Sequence, residues 1–259
     1  MNPKNPMSEP TLIPEKIVNL TDYPIHSPGS SEYQNLIDRC RNHLKQAGVC
    51  ILPDFITPEA TRIMASETDR IVDEAYTCHD EHNPYLDKDD LSFPEDHPRR
   101  RKQQTSLDVL GYDLIDPQDG LHMLYNWDAL VTFISDVLSK EVLYRMADPL
   151  AAVTVNVMRE GRHHGWHFDE AEITTSIMLQ APEAGGQFQY VPQLRDKDQA
   201  NYDDVDQVLA GAHPGIRKLE VVPGTMVIFA GHYAMHRVTP VIGEKTRYVA
   251  ILCFKDRPG

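Results

Sequence analysis

The 259-residue sequence predicts an α+β domain whose first half is largely helical and whose second half is a β-sandwich or jelly roll. Three observations predict it. Apolar residues recur at helical spacing through the first half. Beyond about residue 145 they gather instead into short β-branched or aromatic runs, separated by Gly- and Pro-containing turn signals. A hydrophobic content of 41% over this length is enough for one sizeable core, so one domain is expected.

In chain order, residues 1–30 are polar and proline-rich with few periodic apolar positions, and are expected to be a loosely held or surface-wrapped arm. From Ser31 to Ala47 the residues Tyr33, Leu36, Ile37, Cys40 and Leu44 recur at helical spacing, and Gly48 stands where that helix stops. Val49 to Leu52 is a short strand. Thr57-Pro58 supplies an N-cap and a first-turn proline to a second helix reaching about Tyr76. His79 to Lys102 is dense in charge, proline and histidine without periodicity; a stretch that long inside a domain is a lid, a binding loop or disorder. Pro117 to Ser139 forms a third helical region, with Leu121, Leu124, Trp127, Leu130, Phe133, Ile134 and Leu138 on the side that packs against a sheet. Strands are expected over 151–158, 173–179, 187–191, 219–222, 226–229, 236–241 and 247–254. A helical insert occupies 196–212, where Val205, Val208 and Leu209 are apolar. The organisation expected is an arm over 1–30 and a single domain over 31–259, in which 31–145 is mainly helical support with the long loop and 146–259 is the β core.

Charge narrows the partners. A formal net charge of -14 disfavours nucleic acid and anionic membrane, which need a basic footprint, and leaves a small-molecule ligand as the expectation. Cys40, Cys50, Cys78 and Cys253 show no CxxC spacing, so neither a zinc cluster nor a disulfide framework is suggested. With no signal-peptide pattern and no long apolar stretch, a cytoplasmic protein is expected, as a monomer or homodimer.

The chemistry concentrates in Gly165-Trp166-His167-Phe168-Asp169, in His236, and in Arg247 eleven residues further on. A His and an Asp two apart on extended backbone point the same way, and with a second, distant His they can occupy one face of an octahedral metal and leave the opposite face open. That is the 2-His-1-carboxylate arrangement of non-haem Fe(II) oxygenases. Taken singly, His167 and His236 also read as core or turn histidines and Arg247 as a surface cation. Taken jointly, with strands in the required order, the metal reading is stronger. Fe(II) on two neutral imidazoles and a carboxylate keeps room for a chelating 2-oxo acid and for O2, and the paired bonds of a guanidinium suit Arg247 to the far carboxylate of 2-oxoglutarate.

These residues resemble the Fe(II)/2-oxoglutarate-dependent oxygenases, and the resemblance covers about Glu32 to Gly259. His82-Asn83-Pro84-Tyr85-Leu86, Ala147-Asp148-Pro149-Leu150, the Gly165–Asp169 stretch, Gly185-Gly186-Gln187-Phe188-Gln189-Tyr190-Val191-Pro192 and His236-Arg237-Val238-Thr239-Pro240-Val241 are together similar to the subgroup of radical halogenases and hydroxylases of free amino acids. The resemblance implies a double-stranded β-helix, a jelly-roll or cupin-like core, with N-terminal helices packed on one sheet. It also implies Fe(II), 2-oxoglutarate and O2 as cofactor and co-substrates, and a free amino acid or similar small amine-bearing metabolite as substrate. Halogenating members carry a small residue in place of the metal carboxylate, which opens a position for chloride. Asp169 is present here, so hydroxylation is the expected outcome. Desaturation or cyclisation by the same iron-centred oxidant, and a non-catalytic 2-oxoglutarate and metal sensor, are the alternatives.

Further candidates follow. Asn156 reaches the 2-oxo acid or satisfies a backbone group, and Trp166 is a neighbour of the metal and its co-substrate. His164, three before the first ligand, sits where amino-acid-modifying relatives face substrate; it reads equally as a member of an exposed histidine cluster. Glu170 and Asp148 are candidates for a substrate ammonium, with a surface carboxylate and a turn cap as their alternatives. Arg100, in the run Arg99–Lys102, is a candidate for a substrate carboxylate, against a charge run that balances Asp87 to Asp90. Some members of that subgroup act on lysine; after Arg247 the last strand, Tyr248 to Phe254, offers no polar residue beyond Cys253, which weakens lysine as the substrate implied. A zinc hydrolase on His163, His164 and His167 lacks an HExxH helix.

Overall fold

A computed structural model describes residues 12–258. The elements in chain order are α1 (Pro14–Ile17), α2 (Ser31–Ala47), β1 (Val49–Leu52), α3 (Pro58–Ile71), β2 (Tyr76–His82), β3 (Gln103–Leu110), α4 (Gly120–Tyr125), α5 (Asp128–Val137) and β4 (Tyr144–Arg145). There follow β5 (Val153–Met158), β6 (His164–His167), β7 (Thr174–Gln180), β8 (Ala184–Gly185), β9 (Phe188–Val191), α6 (Tyr202–Leu209), β10 (Arg217–Leu219), β11 (Met226–Phe229), β12 (Met235–Val238), β13 (Val241–Ile242), β14 (Arg247–Leu252) and β15 (Phe254–Lys255).

Two antiparallel sheets make the core. The larger runs β1-β11-β7-β14-β5-β3-β2 and the smaller β10-β9-β12-β6. Side chains alternate across a strand, so the large sheet has two different faces. Ile177 and Leu179, Met226 and Ile228, and Tyr248, Ala250 and Leu252 join the main hydrophobic core with residues of α2 to α5. The intervening Thr174, Ser176, Met178, Val227, Phe229, Arg247, Val249 and Ile251 line a cavity shared with the small sheet. Strands covered on both faces read as nearly continuous apolar runs, which is why 226–229 and 247–254 show no clean alternation. This is the jelly roll with helices on one sheet.

The helices behave largely as their signals dictate. Ser30 caps α2 by accepting from Tyr33 N–H, and Gly48 ends it in the left-handed conformation with its N–H on the Leu44 carbonyl. Thr57 and Pro58 open α3. That helix stops at Ile71, short of the expected Tyr76, and a 3-10 turn over Val72–Glu74 leads into β2. The third helical region is two helices, not one. The Tyr125 carbonyl at the end of α4 accepts from Arg145 Nε at 2.6 Å, so it is satisfied from outside the helical ladder.

Two segments depart from expectation. From Leu12 onward the supposed arm is built into the core: Leu12, Ile17, Val18, Tyr23 and Ile25 are all buried there. Asn19 N–H donates to the Phe55 carbonyl at 2.9 Å and Thr57 N–H to the Ile17 carbonyl at 2.8 Å. The irregular spacing of these anchors hides them from any periodicity test. The first eleven residues lie outside the described ones. The β2–β3 hairpin is the second departure, because β2 is an exposed edge strand with a charged sequence and β3 carries Asp108 in its middle. Asp108 is fully buried; it accepts from Thr77 Oγ1 at 2.8 Å and pairs with Arg159 and Arg162. The irregular stretch is therefore 83–102. Among the described residues no helix is long and apolar enough to cross a membrane.

Candidate active site

The cavity between the sheets, about 330 Å3, is lined by most of the residues that the sequence singles out. His167 ends β6 and faces His236 on β12 across the antiparallel pair, their rings 4.1 Å apart. Between that pairing and the next, His164 with Val238, β6 spends one residue more than β12, which is a bulge. It turns His164 and His167 to the same side, ring on ring at 3.8 Å, and it turns Trp166 to the other.

Each ligand candidate is held in the form a metal needs. His167 Nδ1 lies 2.8 Å from the Gly165 carbonyl and His236 Nδ1 lies 2.9 Å from the Ala234 carbonyl. A carbonyl only accepts, so each Nδ1 presents its N–H there and each Nε2 is turned towards Asp169. Asp169 Oδ1 stands 3.5 Å from His167 Nε2 and 3.3 Å from His236 Nε2. One donor atom from each of the three falls within 4.8 Å of the others. Burial alone would raise the Asp169 carboxyl, but the two imidazoles outweigh it and hold it well below the usual carboxylate range. Burial keeps His167 below its ordinary value and His164 well below it, so both are neutral imidazoles at neutral pH. Neutral imidazoles and an ionised carboxylate are what a divalent metal requires.

Arg247 begins β14 on the cavity side and is buried. Its Nε has no hydrogen-bond partner, and Nη1 finds only the Met158 sulfur at 3.7 Å. Burial lowers it to about 10. A buried guanidinium with no carboxylate beside it is costly and is suited to an anionic ligand. Asn156, His164 and Glu170 line the same cavity.

Three candidates fall elsewhere. Trp166 packs with Tyr85, Phe168 and Met235 on the far side of the small sheet, with Arg237 over its ring at 4.7 Å, so it does not touch the cavity. Asp148 is exposed and accepts from Leu150 N–H at 2.8 Å, making it a turn cap. Arg100 donates to the Phe93 carbonyl at 2.8 Å and sits near Glu95, away from the cavity. Its neighbours balance acids: Lys102 pairs with Asp89 at 2.7 Å and Arg101 with Asp206 at 2.8 Å.

Several further residues support the site, most of them without any mark of it in the sequence. Thr174 Oγ1 donates to Asp169 Oδ2 at 2.6 Å. Asp169 N–H donates to the Gly231 carbonyl at 3.1 Å, and His232 Nδ1 lies 3.2 Å from the Asp169 carbonyl. The His82 ring meets His167 edge-on at 6.2 Å; its Nε2 lies 2.8 Å from Thr105 Oγ1, which accepts from Gly165 N–H at 3.1 Å. Phe168 N–H donates to the Pro84 carbonyl at 2.8 Å, and the Phe168 ring stacks on Tyr85. Of these only the His82–Leu86 motif leaves a trace in sequence.

Fold and donor set together define a class, the 2-oxoglutarate-dependent Fe(II) oxygenases. The chain belongs to the family described as HalD, halogenase D, whose model matches residues 32–258. No curated protein matches it in sequence. Among solved structures it is similar to SnoK, a non-haem α-ketoglutarate-dependent carbocyclase from nogalamycin biosynthesis, with a TM-score of 0.60 and 11% identity over 86% of this chain and 85% of the other. A Pseudomonas putida prolyl-4-hydroxylase matches with a TM-score of 0.52 and 16% identity, over 86% of this chain and 100% of its own. A 2OG-Fe(II) oxygenase family protein from Burkholderia pseudomallei gives 0.52 and 16%, over 86% and 92%. At these identities the likeness is one of fold.

Proposed function

We propose that the protein is an Fe(II)/2-oxoglutarate-dependent dioxygenase that hydroxylates an unactivated C–H of a free amino acid or similar small amine-bearing metabolite. The observation that carries this reading is the convergence of His167, Asp169 and His236 beside a buried, unpartnered Arg247 in one cavity. When bound, Fe(II) with 2-oxoglutarate and O2 supplies the oxidising power, and 2-oxoglutarate leaves as succinate.

The protein's own part is binding, orientation and exclusion of water. His167, Asp169 and His236 would hold the metal. Arg247 would take the distal carboxylate of the 2-oxo acid. Phe188, Val227, Phe229 and Val249 give that cavity dry walls, which strengthen each of these interactions. Asp169 fills the position that halogenating relatives leave to chloride, so transfer of oxygen is the expected outcome.

Glu170 and His164 provide the substrate's polar partners. Glu170 suits an ammonium; neutral His164 donates or accepts one hydrogen bond. Among the described residues lining the cavity, Arg247 is the one cation and Asp169 and Glu170 are the acids. This balance favours a second reading within the same class, an amine without a free carboxylate.

Succinate release with Fe(II), 2-oxoglutarate and a panel of free amino acids, each paired with its decarboxylated amine, tests both. A substrate-stimulated burst with a product heavier by one oxygen is expected. A product lighter by two hydrogens would instead establish desaturation or cyclisation, and no stimulation by any compound would leave a 2-oxoglutarate sensor. Under the second reading the amine of each pair should have the lower KM, by about 5-fold to 150-fold, because an unpaired buried polar group costs roughly 1–3 kcal/mol. A consistent preference for the acid would remove the second reading. Asp169→Gly should abolish hydroxylation, and chlorination is not expected in its place, since halide binding needs more than space.

A further inference from the structure

We infer that Gly231 and Thr174 determine whether position 169 can present a metal-binding carboxylate, and that residues 169 and 231 are therefore coupled in size. The inference rests on Asp169 being a metal ligand and concerns what allows it to be one.

Asp169 is held at several points. Oδ1 faces the two imidazoles. Oδ2 accepts the Thr174 hydroxyl at 2.6 Å, so one oxygen is occupied and the other alone is offered to a metal. Behind the carboxylate lies the α-carbon of Gly231. A Cβ there would overlap Oδ2 and stand 2.6 Å from Cγ and 3.0 Å from Cβ of Asp169, closer than real contacts allow.

The aspartate has little freedom to yield. Its N–H is bonded to the Gly231 carbonyl itself, His232 Nδ1 lies against its own carbonyl, and Thr174 holds the oxygen that would have to move. The preceding Phe168 is fully buried between Tyr85 and the Arg195 guanidinium, which lies 4.1 Å over its ring. Gly231 is not one of the glycines in the left-handed region, so its backbone conformation is open to any residue. Space for the carboxylate is the reason for glycine at this position. A small residue at 169 would lift that demand, and the Thr174 hydroxyl would lose its partner. The three positions thus form one unit that specifies an oxygen ligand.

The test is a double-mutant cycle on the full chain, read by titrating Co(II) into the metal-free protein and by thermal unfolding without metal. Gly231→Ala and Thr174→Val should each weaken Co(II) binding by about 10–100-fold, the range seen when residues supporting a metal ligand are removed. Thr174→Ser, which keeps the hydroxyl, should bind close to wild type. Gly231→Ala should also lower the melting temperature. In an Asp169→Gly background, Gly231→Ala should change neither Co(II) affinity nor melting temperature, because the three atoms nearest to the added Cβ all belong to the Asp169 side chain.

The inference is overturned if Gly231→Ala binds Co(II) as wild type does, if it destabilises both backgrounds equally, or if Thr174→Val and Thr174→Ser behave alike. Those failures differ from failure of the underlying reading, in which Asp169→Gly itself would bind Co(II) as tightly as the wild type.

Discussion

Replacing His236 by alanine is expected to abolish metal retention and, with it, all 2-oxoglutarate turnover, while the fold survives. The remaining His167 and Asp169 form a pair instead of a three-point face. The loss should therefore exceed the roughly 10–100-fold typical of a residue that merely supports a ligand. The imidazole is nearly enclosed, with Phe229 4.9 Å away edge-on and Phe188 stacked at 5.4 Å. Both rings belong to the walls of an existing cavity, so truncation enlarges a space already present and opens no new void in a close-packed core. A cost of about 1 kcal/mol, the centre of the range for point substitutions, is expected in the metal-free protein. Its Asp169 carboxyl loses one of the two imidazoles that hold it down and moves back towards the ordinary range. Metal content after dialysis, set beside the thermal melt, separates the two effects. A variant that keeps its iron and substantial turnover would remove the metal assignment altogether.

How much of this is legible in the sequence depends on whether a signal is local. Helix α2 is readable to the residue, because its start, its stripe and its stop all lie within its own stretch: Ser30 before it, Tyr33 to Leu44 along it and Gly48 after it. The metal constellation is legible for a related reason. His167 and Asp169 are neighbours on the chain, and the short apolar run before His236 marks it as a strand residue facing a core. What cannot be read is anything that depends on which strand lies beside which. Trp166 lies two residues after His164, and simple alternation would place both on one face; only the bulge against β12 shows that the indole turns away. Gly231 and His232 are invisible for the same reason, since they act on Asp169 from a distant part of the chain, and Thr174, though only five residues on, meets Asp169 through a turn that no periodicity marks. Asp148 and Arg100 stand out for their charge, and that charge is spent locally, on a turn and on a loop carbonyl.

The long irregular segment shows the same division. Its composition announces a loop, and residues 83–102 are one, but composition cannot say what the loop rests on. Asn83 ties it down by donating to the Asp87 carbonyl at 2.7 Å, and Phe93, His97 and Tyr202 pack ring against ring between it and α6. Through Pro84 and Tyr85 it reaches Phe168, the residue between the two ligand candidates of β6 and its following turn. A segment without periodicity therefore braces the candidate metal site from outside, which ties the helical insert, the loop and the turn before Asp169 into one support.

Arg247→Met should move two measurements in opposite directions, raising the stability of the metal-free protein while removing its response to 2-oxoglutarate. The guanidinium is buried, its Nε has no partner, and burial brings it down to about 10, all signs of a cation held out of water without compensation. Methionine keeps much of the length and apolar volume and carries no charge. Relief of that burial should stabilise the free protein by on the order of 1–3 kcal/mol, within the range seen when buried charges give way to apolar side chains. For a domain of this size that is about 2–4 °C in melting temperature per kcal/mol. Binding runs the other way. Loss of a desolvated charge pair costs roughly 2–5 kcal/mol, or about 30-fold to several thousandfold in 2-oxoglutarate affinity. Wild type should gain about 2.7 kcal/mol of stability at a 2-oxoglutarate concentration one hundred times its Kd, and the variant less than about 1 kcal/mol at that concentration. A residue with a purely structural role would lose stability on substitution and leave the ligand response intact. That pattern, a lower melt with unchanged 2-oxoglutarate stabilisation, would show that Arg247 serves the core and not the co-substrate.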